Sequence, residues 1–229
     1  MKMLPFFGPV LLFLWSCGSP NSNAEKELKH LPFMGEPMLI QNDQGSVDTL
    51  WPALPAFTLA SQTGDSLTQL DLAGKIRVAD FFFTSCPTIC PMMSAQMLRI
   101  HERFGSNDQV VLISHSIDPE HDSVSVLADY AEKLGASAPG WFFLTGDMDL
   151  IFSLADAYGS FAEKDPNAPG GFAHSGALTL ADRQGRIRGV YDGTNPEEVD
   201  RLILDMERLL AEAPDYGPEA VPVGLDYAQ

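Results

Sequence analysis

The apolar positions of this chain fall into short runs separated by Gly, Pro, Asn and Asp, and their spacing alternates between strand-like and helix-like. Residues 75–83 and 109–117 are nearly continuous apolar runs rich in Val, Ile and Phe, the pattern of strands buried on both faces. A third such strand is predicted at 141–144. Between them the period becomes helical. A helix is predicted over 91–104, with Pro91 tolerated in the first turn, and another runs to Leu134, with Asp122 as its expected N-cap and Gly135 as its stop. Further helices are predicted at 147–158 and, capped by Asn195 with Pro196 at the first position, through Leu210. Turn residues mark three hairpins: within 31–48 around Asp43-Gln44-Gly45, at 56–70 around Thr63-Gly64-Asp65, and at 175–191 around Asp182-Arg183-Gln184-Gly185. Residues 159–171, with two prolines and three glycines, read as loop.

Apolar strands alternating with helices imply an α/β fold with a largely parallel centre, and the last hairpin adds an antiparallel edge. The first of these strands ends in Phe83-Thr84-Ser85-Cys86-Pro87-Thr88-Ile89-Cys90-Pro91, so two thiols stand where a strand feeds a helix. That is the thioredoxin arrangement. The expected fold is therefore a thioredoxin-like mixed sheet flanked by helices, with the first hairpin as an N-terminal extension. A helix N-terminus favours the thiolate, the form that attacks disulfides and binds soft metals.

The ends of the chain have a different composition. Lys2 followed by the short apolar stretch 4–15 fits an export signal and is too short for a comfortable membrane span. Leu14-Trp15-Ser16-Cys17 closes it and resembles a bacterial lipoprotein signal, in which the cysteine is lipidated; a plain secretory signal and an uncleaved anchor are the alternatives. Residues 1–17 are thus read as signal, 18–32 as a flexible tether, 33–212 as the folded domain and 213–229 as a loosely held acidic tail. All three readings of the N-terminus put the domain outside the cytoplasm, on the periplasmic side of a membrane. Lys and Arg number 14 against 31 Asp and Glu, a formal charge of −17, which excludes nucleic acid as a partner and disfavours an electrostatic hold on anionic lipid.

With Cys17 assigned to lipid, two of the three cysteines remain, Cys86 and Cys90. Outside the cytoplasm such a pair forms a disulfide unless a metal or a reductant intervenes, and so short a loop contributes little as a structural staple. Three residues between the thiols leave room for one soft ion, and a single imidazole would complete a trigonal Cu(I) site; zinc would want a fourth protein ligand. Five histidines are candidates. His30 lies in the tether, His101 on an expected solvated face of its helix, His115 in a core strand, and His121 in a polar loop. His174 precedes a strand that, in a thioredoxin-type sheet, faces the thiol loop. Met92 and Met93 are expected to pack the helix rather than bind metal.

Three motifs in order carry a family resemblance. The Thr84–Pro91 segment, then Ser116-Ile117-Asp118-Pro119-Glu120-His121-Asp122, then His174 ahead of a strand are similar to the Sco/SenC family, and the run from Asp182 to Gly193 resembles its closing hairpin. The resemblance spans roughly residues 55–210. It implies one copper bound by Cys86, Cys90 and His174, and a role in assembling the dinuclear copper centre of cytochrome c oxidase, with that enzyme's copper-site subunit as partner. Asp118 and Asp122 match acidic positions of the second motif and are expected to shape the loop and cap the helix. A thioredoxin-type thiol–disulfide oxidoreductase, using Cys86 and Cys90 as a redox pair with a thiol reductant as partner, is the alternative. Ala173-His174 stands where such reductases carry a cis-proline, which favours copper. A peroxidase is disfavoured, because Phe83 occupies the place of the peroxide-binding threonine.

Overall fold

A computed structural model describes residues 30–41, 45–136, 138–213 and 220–222. The signal, Cys17, most of the tether, the tip residues Asp43 and Gln44, and most of the tail lie outside the described residues. In chain order the elements are β1 (Met38–Gln41), β2 (Val47–Ala53), β3 (Thr58–Ser61), β4 (Ser66–Thr68), β5 (Ile76–Phe82), α1 (Cys90–Phe104), β6 (Val110–Ser116), α2 (Val124–Leu134), β7 (Trp141–Thr145), α3 (Met148–Ala157), β8 (Ala162–Lys164), β9 (Phe172–His174), β10 (Ala177–Ala181), β11 (Ile187–Asp192), α4 (Pro196–Ala211) and β12 (Ala220–Pro222). No helix among the described residues is long and apolar enough to cross a membrane.

Seven strands form the central sheet in the order β11-β10-β5-β6-β7-β3-β4. β5, β6 and β7 are parallel, with Phe81 opposite His115 and His115 opposite Leu144. The hairpins β10–β11 and β3–β4 add antiparallel edges on either side. Every residue of β5 and β6 is buried, which is why both read as nearly continuous apolar runs, interrupted by Arg77 and Asp80 in β5 and by Ser114, His115 and Ser116 at the end of β6. Alternate residues of β5 face opposite ways. Phe82 packs with Tyr130 of α2, which in turn hydrogen-bonds Ser94 of α1. On the other face Phe81 stacks on His115, and Tyr158, just past α3, closes over both rings. Helix α4 lies beside α1, joined by Arg99–Asp200 and Arg103–Glu207.

The expected helices form, and their ends follow the side chains. Asp147 and Asn195 cap α3 and α4 through their side-chain oxygens. Gly135 ends α2 at φ 72°, the left-handed conformation that favours glycine. Asp122 does not cap α2: the helix begins at Val124 with Ser123 in the cap position, because the Asp122 carboxylate is engaged elsewhere.

Other local expectations also change. The segment 159–171 is not all loop. It contains β8, which pairs with β9 and sets Ala162 opposite His174. Within the acidic tail, Ala220–Pro222 runs parallel to β2, extending the β1–β2 hairpin to three strands. Leu31 and Pro32, assigned to the tether, lie against the domain. Their carbonyls accept from the buried Arg188 guanidinium, which also pairs with Asp182 and Glu212, while Phe33 stacks over Arg188 at 4.2 Å. A buried guanidinium needs acceptors for all its N–H groups, and the N-terminal segment supplies two.

Candidate metal centre

Three elements converge at the carboxyl end of β5. Phe83, 1% exposed, directly follows the strand, and Cys86 lies in the loop beyond it, its N–H bonded to the Phe83 carbonyl. Cys90 is the first residue of α1 and is 1% exposed, whereas Cys86 is 8% exposed. The third element is β9, which ends at His174. The 3₁₀ turn Pro169–Gly171 ahead of it packs on the thiol loop. Gly170, at φ 84°, lies so close to Phe83 that a Cβ there would stand 2.6 Å from the ring, so the turn requires glycine on two counts. Phe83 also meets Phe172 and the edge of the His174 ring.

These contacts bring His174 Nε2 to 3.3 Å from Cys90 Sγ, and one donor atom from each of Cys86, Cys90 and His174 lies within 4.8 Å of the others. His174 Nδ1 donates to the Ser175 carbonyl at 2.9 Å. That bond fixes the tautomer and leaves the Nε2 lone pair directed toward the sulfurs. Burial holds the His174 imidazole below its ordinary pKa, against the opposing pull of the Ser175 bond, and so keeps it neutral and ligand-ready. Two sulfurs and one neutral imidazole nitrogen form a soft donor set suited to Cu(I).

The two thiols differ electrostatically. Burial pushes Cys90 well above an ordinary thiol, and its bond to Cys86 adds to the shift. Burial also raises Cys86, but bonds from Cys90, the Thr88 and Cys90 backbone and the Thr88 hydroxyl outweigh it, leaving Cys86 below the usual value. The helix N-terminus therefore does not favour both thiolates equally. The depth of Cys90 overrides it.

Asp122 is the hinge pin of the neighbouring loops. Wholly buried, it accepts from the Thr84 N–H at 3.0 Å and from the Ser116 hydroxyl at 2.6 Å, both through Oδ2. Oδ1 takes the Thr84 hydroxyl and His121 Nδ1. It thereby ties the segment leading to Cys86 to the end of β6. His121 is raised above its ordinary pKa by that bond and stays outside the donor cluster. Asp118, raised by burial, is likewise not among the donors.

Of the other histidines, His115 is fully buried among Phe81, Phe57 and Tyr158 with neither nitrogen hydrogen-bonded. His101 is not on a solvated face; it is half-buried against Trp141. His30 pairs with Glu212, at the far end of the domain. Met93 is buried in α1, while Met92 is exposed. Asp80 went unremarked in the sequence: it is 1% exposed in β5, and burial raises it to about 7. An acid inside a largely apolar strand was the available signal.

Comparison with known proteins agrees with this geometry. The SCO1/SenC family profile matches residues 52–211. A SCO1/SenC family lipoprotein from Bacillus anthracis is similar at TM-score 0.64 and 32% identity, covering 71% of this chain and 96% of that one. BsSco, described as a member of the Sco family of cytochrome c oxidase assembly proteins with a disulfide switch, aligns at TM-score 0.62 and 29% identity over 73% of this chain and 96% of its own. Bradyrhizobium japonicum ScoI, solved with copper bound, aligns at TM-score 0.55 and 26% identity over 69% and 99%.

Proposed function

We propose that this chain, which belongs to the SCO1/SenC family, binds one Cu(I) through Cys86, Cys90 and His174 and delivers it to the dinuclear copper subunit of cytochrome c oxidase. The observation that carries the reading is the His174 ring, turned by Ser175 so that Nε2 meets the sulfur pair. The copper-bound ScoI relative and the assembly role stated for BsSco support it. The protein works outside the cytoplasm, held to the membrane through lipid on Cys17; the lipoprotein relative supports that anchorage.

The residues divide the work. Cys86, the lower-pKa and less deeply buried thiol, is the sulfur that ionises first and the one an incoming partner meets first; Cys90, deeper, holds the ion from beneath. Closure of Cys86 and Cys90 into a disulfide removes two of three donors, so oxidation of the pair gates loading. The same asymmetry favours a second reading, in which reduced Cys86 attacks an oxidised cysteine pair on the acceptor and Cys90 resolves the mixed disulfide.

Anaerobic titration of the reduced protein with Cu(I), against a competing chelator, tests the site. One copper per chain is expected, and His174→Ala should weaken binding while His115→Ala should not. Equal effects of the two substitutions remove His174 from the site, and full-strength binding by Cys86→Ser or Cys90→Ser refutes the two-thiolate centre.

A further inference from the structure

A groove of about 440 Å³ adjoins the donor cluster and is used by none of the contacts described above. Ile89, between the two cysteines in the chain, and Gly176, two residues beyond His174, both line it. Ala177, Val190, Tyr191 and Thr194 complete its wall, and the exposed Asp192 stands at its rim. β11, which carries Val190 and Asp192, is an edge strand of the central sheet. The groove therefore begins at the ligand loops and runs out to an open edge of the domain.

Its chemistry is specific in two respects. Ile89, Ala177 and Val190 give the lining apolar surface, and Ile89 directly precedes Cys90 in the chain. Gly176 keeps that space open, since a Cβ there would press on Thr194 at 3.1 Å. At the rim, Asp192 Oδ1 accepts both the N–H and the hydroxyl of Thr194, at 2.8 and 2.6 Å, which fixes the direction of an exposed carboxylate. The anion belongs to a chain with 31 acidic against 14 basic residues, so the complementary occupant carries positive charge.

Copper leaves the site only when a foreign sulfur reaches it. Cys90 at 1% and Cys86 at 8% exposure leave no flat approach. The incoming cysteine must ride on a narrow stretch of chain laid in the depression beside them. We infer that this groove docks the thiol-bearing segment of the copper acceptor in extended form, with an apolar side chain on Ile89, Ala177 and Val190 and a Lys or Arg at Asp192. The inference rests on the delivery reading above. In the transfer, each copper–sulfur bond to Cys86 or Cys90 breaks as one to an acceptor sulfur forms. The acceptor thiol's proton passes to the departing cysteine, and copper remains Cu(I) throughout.

Two synthetic dithiol peptides test the groove, identical except for a lysine or a glutamate beyond a leucine that neighbours the first cysteine. Transfer from the Cu(I)-loaded full chain is followed by stopped flow. The lysine peptide should be faster by about threefold at low salt, a preference that high salt erases. Asp192→Asn, which keeps the acceptor for Thr194 and drops the charge, should abolish that preference, and Val190→Glu should slow both peptides. Both variants should retain wild-type Cu(I) affinity in chelator competition. Equal rates for the two peptides with the unmodified protein, or an undiminished preference in Asp192→Asn, overturn the docking inference. The reduced copper-site domain of cytochrome c oxidase, used as acceptor in parallel, separates the two ideas. If it receives no copper while the peptide preference holds, the delivery reading fails and the groove stands.

Discussion

Replacing Asp122 with alanine should loosen the metal centre without touching a ligand. The carboxylate is wholly buried and accepts four hydrogen bonds. His121 is mostly exposed and recovers water when its partner goes, so that bond contributes little. The Ser116 hydroxyl and the Thr84 N–H are shielded and lose their acceptor outright. A bond to an ionised acceptor contributes about 1.5–3 kcal/mol, so the two together put the loss at about 3–6 kcal/mol, a large share of a typical domain's stability. Asp122→Asn should cost about half as much. Its remaining oxygen can serve Ser116 and the Thr84 N–H, while the Thr84 hydroxyl and the His121 ring can each switch to accepting from the new amide. Because Thr84 is two residues from Cys86, Cu(I) affinity should fall about 10- to 100-fold in the alanine variant, the usual cost of losing support behind a ligand. Urea unfolding of the reduced protein gives the first quantity and chelator competition the second. An alanine variant within about 1 kcal/mol of the parent, with unchanged affinity, refutes the view that this carboxylate positions the thiol loop.

Two further outcomes are expected. His115 is buried neutral and its pKa is lowered by burial to about 4, so the unfolded chain takes up its proton first as pH falls. Its contribution should therefore be complete above about 6.5 and fall by about 3 kcal/mol as pH drops toward 4, while Asp80, raised to about 7, pulls stability the opposite way over the same window; the difference between the parent and His115→Phe isolates the histidine, and parallel stability curves for the two would show that it is not the group responsible. In the reduced, copper-free protein, iodoacetamide should label Cys86 at least about tenfold faster than Cys90, read by mass spectrometry of the digest; faster labelling of Cys90 would reverse the assignment of roles.

The strand-to-helix thiol junction, the parallel centre and the capped helices were legible because each depends on residues close together in the chain. Val- and Phe-rich runs with too few polar residues to form a solvated face demand burial on both sides, and Asn195-Pro196 or Gly135 act within one turn. Asp122 shows where this local reading fails. An acidic residue ahead of a helix ordinarily caps it, but Thr84 and Ser116, brought alongside by the pairing of β5 with β6, offer better-shielded donors than the helix end does. The same holds at the centre itself. Sequence set two thiols a fixed distance apart and nominated a histidine 84 residues beyond the second of them. Only the folded chain, with Gly170 pressed on Phe83 and Ser175 holding one ring nitrogen, determines that the other nitrogen meets the sulfurs. Likewise, adjacency to one helix terminus is a local fact shared by both cysteines, but depth beneath the surface is not. Burial depends on everything packed above a residue, and it is burial that separates Cys86 from Cys90.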